Sequence, residues 1–278
     1  MDKRPVDVVV ISDVHLGTYG CKANELTTYL KSISPSILIL NGDIIDAWQF
    51  SKRYFPAAHL AVLKEIIHCI INGTRVFYIT GNHDEVLRHY SGCRVGNFML
   101  TDKLVLEIDS KMTWIFHGDV FDNTTKGSAK FLSKLGSSGY GLLILINRAI
   151  NTLLRYAGRE RISLSKKIME SVNKAVIRIN DFEMTAAELA IEKHYDYVIC
   201  GHIHKPQKRE VANQNGHVTY LNSGDWVEHC TALEYYKKEW RLFQYEESAF
   251  PETKAVKERP QPNVITDEIN FHINSLAG

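Results

Sequence analysis

The sequence predicts an α/β fold, a mixed β-sheet core interrupted by a large helical insertion. Three observations carry that expectation. Continuous apolar runs such as VDVVVISD and SILILNGD fit strands covered on both faces. Amphipathic stretches stand between those runs. From about residue 121 to 195, helical periodicity continues without a strand. A length of 278 residues suits one large domain with an insertion, or two small ones.

The elements follow in order. VDVVVISD is the first strand, and ANELTTYLKSIS a helix with its apolar stripe at Leu26, Tyr29, Leu30 and Ile33. SILILNGD is the second strand, AAHLAVLKEIIHCIINGT a helix closed by Gly73, and RVFYITGNHD the third strand. KLVLEID and TWIFHGD read as adjoining strands across a turn at Ser110. After the helical segment, strands return with YDYVICGHIH, GHVTYLNSGDW, CTALEYY and EWRLFQYEE, with Lys237-Lys238 in the hairpin turn. This divides the chain into a core (1–120 and 196–247), an insertion (121–195) and a Pro-rich polar tail (248–278) with a short helix near DEINFHINSL. An insertion of that size usually covers or shapes a site.

Composition excludes several classes. Hydrophobic residues at 45% and charged residues at 23% are ordinary for a globular chain. A net charge of +1 gives no overall field for nucleic acid, and the basic residues of the insertion lack interleaved aromatic platforms. Five scattered cysteines without a Cys-x-x-Cys pair suit free thiols in a reducing cytoplasm. The opening MDKRPVDVVVISD does not read as a signal peptide, and no apolar run approaches the roughly 20 residues of a spanning helix.

The chemistry lies at the strand ends. Five apolar runs end in Asp13-Val14-His15, Gly42-Asp43, Gly81-Asn82-His83-Asp84, His117-Gly118-Asp119 and His202-Ile203-His204. A single Asp or His at a strand end is most often a cap or a turn residue. Five such ends in one chain, all with metal-ligating residue types, point to a ligand site at one edge of the sheet. In an extended chain His202 and His204 would face the same way, either as surface residues or as metal ligands. Carboxylate, imidazole and amide oxygen without thiolate suit two divalent ions, manganese first, with iron, zinc or nickel as alternatives.

The ordered set D-x-H, G-D-x-x-D, G-N-H-D, H-G-D and G-H-x-H over residues 6 to 226 resembles the calcineurin-like metallophosphoesterase superfamily. The resemblance implies a two-layer mixed β core flanked by helices, an αββα sandwich, with a dinuclear centre at the strand ends. It places Asp13, His15, Asp43 and His204 at one ion and Asp43, Asn82, His117 and His202 at the other, bridged by Asp43. It also implies that His83 is the candidate for protonating a leaving oxygen, oriented by Asp46, and that Asp119 supports His117. Within the superfamily, NGDIIDAW, GNHDE, HGDVFDN, GHIHKP and NSGDWVEHCTAL, with the helical insertion, are most similar to the UDP-2,3-diacylglucosamine pyrophosphatases of lipid A synthesis and their homologues. One departure is that the best-studied members carry Arg where this chain has His83.

That resemblance implies hydrolysis of a UDP-linked acylated sugar to UMP and a lipid sugar phosphate, at the cytoplasmic face of the inner membrane. The insertion would be a cap, with Leu142, Leu145, Ile146, Ala149, Ile150, Leu153 and Leu154 on one broad apolar face and Arg and Lys at its margins. Candidate substrate contacts are Asn82, His83, Asp122, Ser163, Ser165, Lys166, Lys167 and Asn173. Two alternatives stay open: a phosphodiesterase or phosphatase for another nucleotide or lipid phosphate, and a non-catalytic metal-binding scaffold. Loss of ligands would mark the scaffold, and every ligand position is filled.

Overall fold

The computed structural model describes residues 3–47, 54–124, 179 and 181–250. Residues Met1–Tyr245 form one compact unit. Of the second, Glu246–Gly278, the described residues hold one 3-10 turn at Glu247–Ala249. The expected tail helix lies outside the described residues.

Twelve described strands form two sheets. They are β1 (Arg4–Ile11), β2 (Ile33–Asn41), β3 (Arg75–Ile79), β4 (Arg94–Val95), β5 (Phe98–Thr101), β6 (Lys103–Ile108), β7 (Lys111–Phe116), β8 (Tyr197–Cys200), β9 (Gln207–Asn213), β10 (Gly216–Asn222), β11 (Thr231–Tyr236) and β12 (Glu239–Gln244). The seven-stranded sheet runs β12-β11-β1-β2-β3-β5-β4, and the five-stranded sheet runs β6-β7-β8-β10-β9. β1, β2, β3 and β5 are parallel neighbours, as are β7, β8 and β10. β11 returns antiparallel beside β1.

Alternation along each strand builds three apolar layers. Val9, Ile11, Leu38 and Leu40 face α1 (Ala23–Ser32) and α2 (Ala57–Ile71). Val8, Val10, Ile37 and Ile39 meet Ile115, Ile199 and Leu221 of the other sheet. Phe116, Val198 and Tyr220 face outward onto Phe182, Ala186, Ala187 and Ala190 of a helix at residues 181–192, here α3. Helices outside two stacked sheets give an αββα sandwich, as the sequence suggests. Each fully buried Val or Ile here contributes about 1.5–3 kcal/mol, an upper bound for burial from an extended chain.

Local signals account for the boundaries. α2 buries His59, Val62, Ile66 and Cys69 at helical spacing and ends before Gly73, whose φ of +90° continues no helix. The β6–β7 and β11–β12 hairpins turn on Asp109-Ser110 and Lys237-Lys238, both residues of each pair having positive φ, as a two-residue type I′ turn requires. Three strands carry no sequence expectation: β4, β5 and β9. The YDYVICGHIH strand is shorter than expected, because β8 stops at Cys200. His202 and His204 have left-handed φ of 66° and 53°, so extended alternation does not align them.

Candidate metal centre

The loops after β1, β2, β3, β7 and β8 converge at one end of the sandwich. The first two continue their pairing beyond the sheet: Asp13 N donates to Gly42 O (3.1 Å), and Val14 N and His15 N to Asp43 O (3.0 and 2.9 Å). Asp13, His15, Asp43, His202 and His204 all have φ between 53° and 66°. Left-handed backbone at non-glycine residues costs on the order of 1–3 kcal/mol each and concentrates at functional sites. The motif glycines serve close approach. A Cβ on Gly201 would lie 2.6 Å from Asp13 Oδ2. At Gly42, with φ of +80°, it would lie 2.3 Å from His117 Nδ1.

Three groups of side chains bring candidate ligand atoms within 4.8 Å of one another: Asp13, His15 and His204; Asp43, His117 and His202; and His15, Asp43 and His83. Asp43 therefore faces imidazoles on two sides. His204 Nε2 is 3.1 Å from Asp13 Oδ1, and His117 Nε2 is 3.2 Å from Asp43 Oδ2. His15 Nε2 and His204 Nε2 approach to 3.3 Å.

These contacts suit a cation. His117 Nδ1 lies 2.8 Å from the Asn41 carbonyl oxygen and must carry a proton to bond it. In the neutral ring this leaves Nε2 with a lone pair facing a carboxylate, which a metal ion relieves. Asn82 Oδ1 is buried and accepts no hydrogen bond from the described residues. The donor set of carboxylate, imidazole and amide oxygen fits two divalent ions. Without metal, protons take the cation's place. Burial opposes charge on His117 and His204, but carboxylates outweigh it: Asp43 and Asp13 hold His117 well above its usual range, and Asp13 pushes His204 up to about 9. Burial likewise opposes ionisation of Asp13 and Asp43, yet the facing imidazoles lower both pKa values.

Beside the ligand groups, Asp46 Oδ2 lies 2.9 Å from His83 Nδ1 and 3.3 Å from His15 Nδ1. Burial disfavours the His83 cation, but the hydrogen bond to Asp46 and the field of Asp43 raise its pKa overall. His83 N also donates to Asp43 Oδ1 (2.8 Å), fixing the His83 loop against the shared carboxylate.

The structure thus brings together Asp13, His15, Asp43, Asp46, His83, His117, His202 and His204, with Asn82 next to His83 on the loop after β3. Asp122 lies in a 3-10 turn, Asp119–Thr124, and its side chain is outside the described residues, as are Ser163, Ser165, Lys166, Lys167, Asn173 and the apolar face Leu142–Leu154. Asp119 supports His117 without bonding its ring: Asn41 O meets His117 Nδ1, whereas Asp119 accepts from Arg88 and acts on His117 through its charge.

Sequence reading missed three supports. Asp84 is buried and accepts from Ile44 N (2.9 Å), Tyr78 OH (2.6 Å) and Gly81 N (2.6 Å), pinning the β3 loop to the β2 loop. Asn41 also donates to Phe116 O (3.2 Å), tying the two sheets. Asn222 donates to Gly201 O (2.9 Å) beneath the histidine loop. The available signal was an amide or carboxylate ending each apolar run.

The family model for calcineurin-like phosphoesterase matches residues 6–206. A Stenotrophomonas maltophilia protein named UDP-2,3-diacylglucosamine hydrolase is 23% identical over 239 residues, covering 84% of this chain and 96% of that one. The Shigella sonnei protein of the same name is 28% identical over 179 residues, covering 64% and 72%. An archaeal phosphodiesterase structure aligns over 85% of this chain and 98% of that one, at 15% identity and a TM-score of 0.40.

Proposed function

The chain belongs to the calcineurin-like phosphoesterase family, a metal-dependent phosphohydrolase, and from that premise we propose that it cleaves the pyrophosphate of a UDP-linked, diacylated glucosamine to UMP and a lipid sugar phosphate. The observation that carries the reading is the shared carboxylate: Asp43 stands between the Asp13–His15–His204 group and the His117–His202 pair. Relatives named UDP-2,3-diacylglucosamine hydrolase, one matching 96% of its own length, support the choice of substrate.

Asp13, His15, Asp43 and His204 would hold one ion, and Asp43, Asn82, His117 and His202 the other, manganese being the proposed pair. Bound there, two divalent ions supply Lewis acidity to the phosphate oxygens and activate a water. The chain does the rest. Asp43 and the imidazoles fix where the phosphorus sits. Asp46 keeps a proton on His83 Nδ1 and favours the cation, so His83 Nε2 can protonate the departing oxygen. Asp122, Ser163, Lys166, Lys167 and Asn173 are proposed to bind the substrate. In this reading the insertion expected at 121–195 is, ahead of α3, which packs on the five-stranded sheet, a cap whose apolar face receives acyl chains, with a basic rim toward phosphate or an anionic membrane. No helix among the described residues is long and apolar enough to cross a membrane. The proposed site of action is the cytoplasmic surface of the inner membrane, reached by peripheral contact.

The test is UMP release from UDP-2,3-diacylglucosamine by the full chain with Mn²⁺, beside Asp43→Ala and a generic aryl phosphodiester. Fast turnover of the lipid nucleotide, absent in Asp43→Ala, is expected. Turnover of the aryl ester alone would keep the hydrolase and overturn the substrate.

A further inference from the structure

Asn82 and His117, two neighbours of Asp43 in the proposed second ion site, ride on different sheets. Asn82 follows β3 of the seven-stranded sheet, and His117 follows β7 of the five-stranded one. Their spacing holds only if the two sheets are tied at this end. Backbone bonds largely tie each loop to its own sheet, His15 N to Asp43 O on one and Gly201 N to His117 O (2.9 Å) on the other, while Asn41 ties the end of β2 to Phe116 and His117, so the β3 loop that carries Asn82 is the part still to be joined.

Arg88, in the 3-10 turn Glu85–Tyr90, spans the gap. Its Nε donates to Thr80 Oγ1 (3.2 Å), and its Nη2 to Thr80 O (3.4 Å) and to Asp119 Oδ2. Thr80 Oγ1 donates onward to Asp102 Oδ1 (2.9 Å). One planar guanidinium thus holds both the residue two before Asn82 and the residue two after His117. The Asp119 side chain is 8% exposed and that of Arg88 35%, so the pair is only partly screened. A cavity of about 220 Å³ opens on this side of His117, between Arg88, Asp102, Phe116, Asp119 and Val120. The opposite side of the loop is held separately, by Phe182 against Gly118.

We propose that Arg88 is a positioning residue which, through Thr80 and Asp119, sets the distance between Asn82 and His117 and so tunes the second ion site. The proposal rests on the metal-centre reading and not on the identity of the phosphoester. Lysine could reach Asp119 but could not reproduce the fork to Thr80. Partners that orient metal ligands typically contribute about 10- to 100-fold in metal affinity.

The test is titration calorimetry of Mn²⁺ into the metal-stripped full chain, with circular dichroism as a check of folding, for Arg88→Met, Arg88→Lys and Asp119→Asn. In Arg88→Met and Asp119→Asn, one of the two binding steps is expected to weaken about tenfold or more while the other keeps its wild-type affinity. Arg88→Lys should fall between, and the double variant should be no worse than the worse single, because the residues act as one unit. Equal weakening of both steps, or unchanged binding in a folded variant, overturns the proposal. If Arg88→Met does not fold, Asp119→Asn carries the same test with a near-isosteric change. Because Mn²⁺ alone is the probe, failure of the lipid-nucleotide assay would leave this result standing.

Discussion

Two buried carboxylates in this molecule sit in opposite circumstances. Glu234 on β11 is 6% exposed and receives Arg4 Nη1 (2.8 Å), Arg4 Nη2 (2.6 Å) and Tyr29 OH (2.9 Å). Its charge is met by a cation that does not deprotonate. Asp43 is 1% exposed, and the positive charge that its described neighbours offer comes from imidazoles, which surrender protons to a metal. The difference separates structural burial from a site. A carboxylate matched by a fixed guanidinium holds strands together, whereas one ringed by titratable imidazoles has the donor chemistry of a metal site.

The largest test of that contrast is a pair of isosteric changes. Asp43→Asn should remove several kcal/mol of charge stabilisation, lowering turnover roughly a thousandfold or more. Metal content should also fall below two ions per chain. Glu234→Gln should keep two ions and turnover within severalfold while lowering thermal stability. Metal analysis beside kinetics on both proteins decides it, and identical behaviour would erase the distinction.

A smaller effect sharpens the picture inside the centre. Asp46→Asn removes the acceptor at His83 Nδ1, with an expected loss in kcat of about 10- to 100-fold. The pH profile gives the sign. Asp46 raises the His83 pKa, and a general acid is lost as pH rises through that pKa, so the alkaline limb should move to lower pH in the variant. His83→Gln should abolish that limb. An unmoved limb in Asp46→Asn would show that another group supplies the proton.

How much of this was legible in the sequence follows the same divide. β1, β2, β3, β7 and β8 were readable because each is an apolar run broken by Asp, Asn or His, and the stop marks both the strand end and the site. β9 was not, because QKREVAN is an edge strand with Val211 its one buried side chain. β4 and β5 have two and four residues, too few to show a period. The pairing of His202 with His204 was foreseen for the wrong reason. Gly201 crosses tightly over Asp13 and Ser12, and the chain then turns through left-handed φ, a conformation set by tertiary contact. Arg88 and Asn41 were invisible for a related reason: their roles depend on which sheet each loop belongs to.

The smallest expected effect tests the structural half of the comparison. Arg4→Met leaves Glu234 with Tyr29 as its hydrogen-bond donor. The Arg4 side chain is 41% exposed, so water screens the pair and replaces part of what is lost. A loss of about 1–2 kcal/mol is expected, below the 3–5 kcal/mol of a fully buried pair, which is a fall of several degrees in Tm. Combining it with Glu234→Gln should recover part of that loss, since no unpaired carboxylate then remains under Tyr29. Mn²⁺ stoichiometry should not change in either protein. A change would mean that the Glu234 cluster, although fully paired, is coupled to the metal centre through β1, the strand that carries Arg4 at one end and delivers Asp13 and His15 at the other.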